Sequence, residues 1–348
     1  MADSFDRFSV FFTPETVYVS GKEFPLGQLT TDILNLDDAV LAEIDRRIND
    51  FMSAAAAIFT EKPDSAAASA QEKLNAVWDL VFELPLYRDL EMDLDTAHNL
   101  FPLLFSDQEK WNEALDVNSE GHAMLEDFLN GLEYFPESLR NFRGQIAGML
   151  ALYFEPLKRR GAEAYAEAYA QYFTDVDTAG RVLFDAPPFE QSFPAEIKFV
   201  PMVHSEGNGW PVLAEKMEFS YLSHVLYTDF YCGLMAGNAP RRCHNCGRYF
   251  LLTAGYNTCY CNNIAPGEIE RTCRKVGAHR KEAQGKANRS PAQVEYDRAY
   301  NRLKQRKNRG KISVAEWNAA VAEAMKVLEQ AERGELADDE VRRRLAGL

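Results

Sequence analysis

Five of the chain's six cysteines, Cys243, Cys246, Cys259, Cys261 and Cys273, fall between residues 243 and 273, and Cys232 stands apart. Clustering of this kind in a chain without an export-type leader suits thiolate ligation of a metal better than a disulfide framework. The Cys243-x2-Cys246 gap bends the backbone into a knuckle whose amides can hydrogen-bond the sulfurs, and Gly247 follows with a permissive backbone. Cys261 then returns to the knuckle, with Cys259 competing for the third position, and Cys273 stands at the start of a helical pattern. A helix start stabilises a thiolate through free amides and the helix dipole. The expected centre is a tetrahedral, treble-clef-like or ribbon-like structural Zn2+ site. Its closed coordination would supply folding free energy on the order of 10 kcal/mol rather than activate water. His244, inside the knuckle, and His279, after the last cysteine, are the weaker alternative ligands.

Basic charge surrounds these cysteines. From Arg241 to Lys311 there are 17 Lys and Arg against 5 Asp and Glu. Ser290-Pro291 opens a helix along which Arg298, Arg302, Arg306 and Arg309 recur at steps of four, four and three, beside a docking face of Tyr296, Tyr300 and Leu303. Gly310 ends it. Ser313-x-x-Glu316 reads as a capping box for a second helix with an apolar seam from Trp317 to Ala331, which makes a helical hairpin, and Asp338 to Leu345 reads as a short last helix. An arginine stripe of this kind can track phosphates, with Arg241, Arg242, Arg248, Arg274 and Lys275 as further contacts near the metal.

The elements upstream have the opposite charge. Of 38 basic and 53 acidic residues in the chain, 16 and 40 lie on Met1 to Pro240 (net −24), and 22 and 13 lie beyond (net +9). This contrast places domains at 1–240, 241–290 and 291–348. The first domain reads as mainly helical with small β elements. It opens with a hairpin over Arg7 to Phe12 and Thr16 to Val19, and one long helix follows from Thr31 to Phe59. Glu61 to Gln71 reads as a connector, and helices follow at Leu74 to Phe82, Gln108 to Leu115, His122 to Leu132 and Pro136 to Leu157. Tyr165, Tyr169 and Tyr172 form a one-turn-spaced stripe, read as packing rather than ligand stacking. Ile197 to Val203 reads as a strand running into a turn at Gly207, Asn208 and Gly209, and Ala214 to Met235 as a helix. No apolar run is long enough for a membrane span, and Met1 to Arg7 lacks a signal-peptide layout, so the expected location is cytoplasmic with no membrane partner.

The segments Arg242 to Phe250, Tyr260-Cys261-Asn262, Thr272 to Gly277 and Tyr296 to Ser313 resemble an uncharacterised bacterial domain-of-unknown-function family found mostly in Clostridia and relatives. The resemblance spans about the last third of the chain and implies Cys243, Cys246, Cys261 and Cys273 as ligands, leaving Cys259 as the extra thiol. It implies no activity. The arrangement is also distantly similar to the CGNR-type zinc fingers of bacterial regulators, although Cys273-Arg274-Lys275-Val276 replaces that signature.

The function these features point to is a zinc-stabilised nucleic-acid-binding protein, such as a transcriptional regulator, acting on DNA or RNA, whose acidic helical domain senses or dimerises. One rival is an interaction protein, either a homodimer or a basic module that docks on an acidic partner or on its own acidic domain. Another is a metal-dependent nuclease using His244, Asn245, His279 or Asn288. No carboxylate–histidine cluster with catalytic spacing, phosphate-cradling loop or nucleophile elbow supports an enzyme.

Overall fold

The computed structural model describes residues 8–58, 63–87, 108–184, 187, 192–203, 211–254, 256–287 and 289–348. The chain divides into two compact units, Met1–Cys261 and Asn262–Leu348. Among the described residues no helix is long and apolar enough to cross a membrane.

The first unit begins with a five-stranded antiparallel sheet in the order β3-β2-β1-β5-β4. Its strands are β1 (Phe8–Phe12), β2 (Thr16–Val19), β3 (Lys22–Pro25), β4 (Glu196–Val203) and β5 (Pro211–Phe219). The opening hairpin is present, with Phe11 opposite Tyr18. β1 also pairs along its length with β5, Phe8 opposite Phe219. Alternation in β1 buries Phe8, Val10 and Phe12 while Ser9 faces out, the pattern of a sheet packed on one side. Strand β5 corrects the expected helix from Ala214. The segment that carries the buried Ala214, Met217 and Phe219 pairs with both β1 and β4, and only Leu222 onward is helical. The glycine turn expected at 207–209 lies outside the described residues, as do Arg7 at the start of the hairpin and Phe59 at the end of the expected long helix.

Helices cover the sheet. They are α1 (Gln28–Leu34), α2 (Asp38–Ile58), α3 (Pro63–Val81), α4 (Gln108–Leu115), α5 (Glu120–Met149), α6 (Ala162–Phe184) and α7 (Leu222–Met235). The single helix expected from Thr31 is broken at Asn35, whose side chain is committed elsewhere. Most of the expected connector is helix instead: Pro63 starts α3, where its fixed φ and missing N–H are tolerated, and Ala66, Ala67 and Ala70 are buried. Pro136 lies inside α5 rather than starting a helix, and five residues of π-helix, Leu150–Phe154, follow its end. The tyrosine stripe is packing, as expected: Tyr165 is buried and stacks on Phe154 with centroids 5.5 Å apart, and Tyr172 is buried beside Tyr153.

The start of α1 is held by a buried carboxylate. Asp229 on α7 accepts from the N–H groups of Gly27 and Thr30, both at 2.8 Å, so it satisfies two of the donors a helix start leaves open. The backbones of the two helices meet where Gly27 (φ +89°) faces Gly233. A Cβ on Gly233 would come within 3.0 Å of Gly27 Cα, so neither position admits a side chain.

The second unit holds α8 (Cys273–Ala287), α9 (Pro291–Asn308), α10 (Val314–Glu332) and α11 (Asp338–Ala346). Ser290 caps α9, with its hydroxyl accepting from Gln293 N, and the Ser313–Glu316 capping box is formed in both directions. Ala292, Ala299, Ala324, Val327, Leu328, Val341 and Leu345 form the core of this bundle.

Burial pushes the Asp229 carboxyl up to about 6, against the pull of the Thr30 and Gly27 amides. Between the ordinary carboxylate range and pH 6 the folded state therefore binds the proton more tightly than the unfolded state. This group accordingly makes stability fall as pH rises through that window and level off above it. Asp229→Ala is expected to lower stability by about 1–3 kcal/mol for each stranded donor and to abolish that part of the slope. Urea denaturation from pH 4 to 8 measures both.

Candidate metal centre

The knuckle grows from a hairpin. Strands β6 (Ala239–Arg242) and β7 (Tyr249–Leu252) pair with Arg242 opposite Tyr249, and the intervening residues 243–248 make the turn. Cys243 N donates to Arg248 O at 2.8 Å and Gly247 N to Cys243 O at 2.9 Å, with Gly247 at φ +77°, a conformation a Cβ would strain.

The body of the first unit fixes this hairpin. Asn35, at the end of α1, donates to Tyr249 O and accepts from Tyr249 N, both at 2.8 Å. Asn238 does the same work at the other end, donating to Leu26 O and accepting from Ala254 N. Two asparagines thus replace ladder partners that the short strands lack.

Arg241 holds the returning segment. It is buried, and its guanidinium donates to Asn257 Oδ1 (3.2 Å), Thr258 O (2.9 Å) and Cys259 Sγ (3.1 Å). Glu155, which follows the π-helical residues, balances the charge. Its carboxylate lies 3.6 Å from Arg241 and 2.6 Å from His244 Nε2. Arg160 donates to the Glu155 carbonyl, and its guanidinium is shifted down by burial and then by the like charge of Arg241.

In the second unit, Ala265 N donates to Arg271 O and Cys273 N to Asn263 O, a turn that includes Gly267 at φ +78° and ends where α8 begins. Thr272 Oγ1 accepts from Lys275 N and caps that start.

The sulfurs of Cys243, Cys246, Cys261 and Cys273 all lie within 4.8 Å of one another. Cys246 Sγ and Cys261 Sγ are 3.7 Å apart, too far for a disulfide. A tetrahedron with metal–sulfur bonds of about 2.3 Å has edges of about 3.8 Å. The donor set and its spacing therefore fit one closed tetrahedral ion, with Cys243, Cys261 and Cys273 buried and Cys246 half-buried. Burial pushes the Cys243 thiol up, but the amides of Cys246, Cys261 and Asn245 outweigh it and bring it to about 7.

Cys259 is outside the cluster and accepts from Arg241. His244 faces Glu155, and His279 is exposed. Asn288 lies outside the described residues. Of the basic residues singled out, Arg242, Arg248, Arg274 and Lys275 are exposed, and Arg242 donates to Gly247 O. On α9, Arg298 pairs with Glu295 at 2.8 Å. Arg302 donates to Leu345 O and Ala346 O and so caps the carbonyl end of α11, and Arg306 donates to Leu348 O just beyond it. Arg309 is exposed at the end of α9. Sequence reasoning missed Asn35, Asn238 and Glu155, whose roles depend on contacts across about 15 to 215 residues of chain and leave no local pattern.

A model of a family of unknown function, DUF6076, matches residues 190–346, a little under half of the chain. Neither the curated proteins nor the solved structures include a match. The chain is thus similar, from before β4 to the end of α11, to a family without an assigned activity.

Cys261→Ser is expected to empty the cluster and remove several of the roughly 10 kcal/mol that closed tetrathiolate binding supplies. Cys259→Ser, whose hydroxyl still accepts from Arg241, should leave metal content intact and stability within about 1 kcal/mol. Elemental analysis with thermal denaturation of both variants distinguishes them.

Proposed function

We propose that the four thiolates hold a structural zinc ion and that the module so stabilised binds nucleic acid through its basic surface. Zinc is the cation that best suits a closed tetrathiolate set, and a site with no open position offers shape rather than catalysis. The observation that carries this reading is that Cys273, one of the four, is the first residue of α8. The next turns of that helix present Arg274, Lys275 and Arg280 to solvent. A cation at the cluster would fix the direction of a helix that carries phosphate-binding side chains. Arg242 and Arg248 flank the knuckle in the same exposed way.

The setting proposed is transcriptional control, with the acidic helical unit as the sensing or dimerising part; the likeness to CGNR-type regulators behind it is distant, since Cys273-Arg274-Lys275-Val276 replaces their signature. Of the four α9 arginines in the stripe, Arg309 is the one left to meet phosphates, because Arg298 pairs with Glu295 and Arg302 and Arg306 donate to the carbonyls of Leu345, Ala346 and Leu348.

Binding to duplex DNA or single-stranded RNA is expected to weaken with salt. Changing Arg274 and Lys275 together to glutamine should reduce the log–log slope on duplex by about 2. Arg302→Gln should instead lower the melting temperature and leave the slope nearly unchanged. Fluorescence anisotropy titrations at several salt concentrations provide the check. A slope indifferent to the Arg274 and Lys275 changes, or no binding at low salt by zinc-loaded protein, would refute the reading.

A further inference from the structure

A cleft of about 610 Å³ opens on the first unit, and none of the five clustered cysteines lines it. Its volume is that of a small-molecule site. One wall is a face of α5, where Asp127, Gly131, Tyr134 and Ser138 recur at helical steps. The floor is aromatic: Phe8, Tyr87 and Phe135 meet edge to face, with centroids 5.6 Å apart in each of the two contacts. Tyr134 and Tyr221 line the cleft with 62% and 60% of their surface exposed, and the Tyr221 ring meets that of His224 edge to face.

The electrostatics of the cleft are one-sided. Among the described residues that line it, only Asp127 carries a charge at neutral pH, and it is exposed. His224 also lines it, and burial shifts that imidazole down, so it stays neutral and adds no competing positive charge. Among the described residues no lysine or arginine lines the cleft. The start of α7 at Leu222 brings a partial positive charge to one wall. The full charge of the Asp127 carboxylate exceeds that partial charge. Exposed tyrosine rings, an aromatic floor and a single carboxylate are the elements that recognise an organic cation, through ring faces and one ionic contact.

We propose that this cleft binds a small organic cation with apolar or aromatic bulk, held by Asp127 and by the faces of Tyr134 and Tyr221. Such a ligand gives the acidic unit something to sense, independently of whether the cysteine module binds nucleic acid.

The test uses full-length protein and two probes of the same shape and opposite charge, tetraphenylphosphonium and tetraphenylborate, titrated by calorimetry. Saturable binding of the cation is expected, at least about tenfold tighter than any binding of the anion. Asp127→Asn and Tyr221→Ala should each weaken cation binding about five- to tenfold. Both positions are exposed, so the fold should survive, and circular dichroism checks this. Tyr256→Ala, at an exposed tyrosine remote in sequence from the cleft, should change nothing. The proposal is overturned if the cation shows no saturable binding up to millimolar concentration, if the anion binds equally well, or if the Asp127 and Tyr221 changes leave affinity unaltered.

Discussion

Four sulfurs brought within 4.8 Å of one another form an arrangement that a chain does not keep without a reason. As thiols they bury weak hydrogen-bonding groups against each other; as thiolates they repel. A cation at their centre converts both costs into bonds of a kind that supply much of the folding energy of small metal-stabilised modules. The surrounding backbone is already organised for that state, since three amides point at Cys243 and a glycine permits the turn after Cys246.

Much of the rest can be read as support for this convergence. Asp229 secures the start of α1, the end of α1 delivers Asn35, and Asn35 takes over both backbone hydrogen-bonding groups of Tyr249 where the chain leaves the knuckle. Arg241, buried and balanced by Glu155, fixes the segment that leads to Cys261. A guanidinium enclosed this way is a structural strut, while the arginines around it that face solvent keep their donors for other partners. On α9, Arg302 and Arg306 commit donors to the carbonyls of Leu345, Ala346 and Leu348, which divides the basic stripe along the same line.

The sequence was most informative where structure is local. The knuckle spacing, the Ser290 and Ser313 caps, the Gly310 end of α9 and the opening hairpin are short-range patterns with a fixed chemistry, and each is present. It was least informative where distant segments complete one another. Ala214 to Phe219 carries apolar residues at spacings compatible with either period, and only pairing with β1 and β4 makes it a strand. Pro63 lies in the expected connector and Pro136 at an expected helix start, yet the first begins a helix and the second is absorbed by a long one. The cleft on the first unit had no signature either, because its walls come from the start of a strand, the middle of one helix and the beginning of another.

The central claim is a single ion closed by four sulfurs. X-ray absorption at the zinc edge of the purified, metal-replete protein tests it most directly. The expected result is one zinc per chain with a first shell of four sulfurs at about 2.3 Å and no nitrogen or oxygen. A shell with a histidine nitrogen or a water oxygen in place of one sulfur, or protein that folds fully with no bound metal, would contradict it.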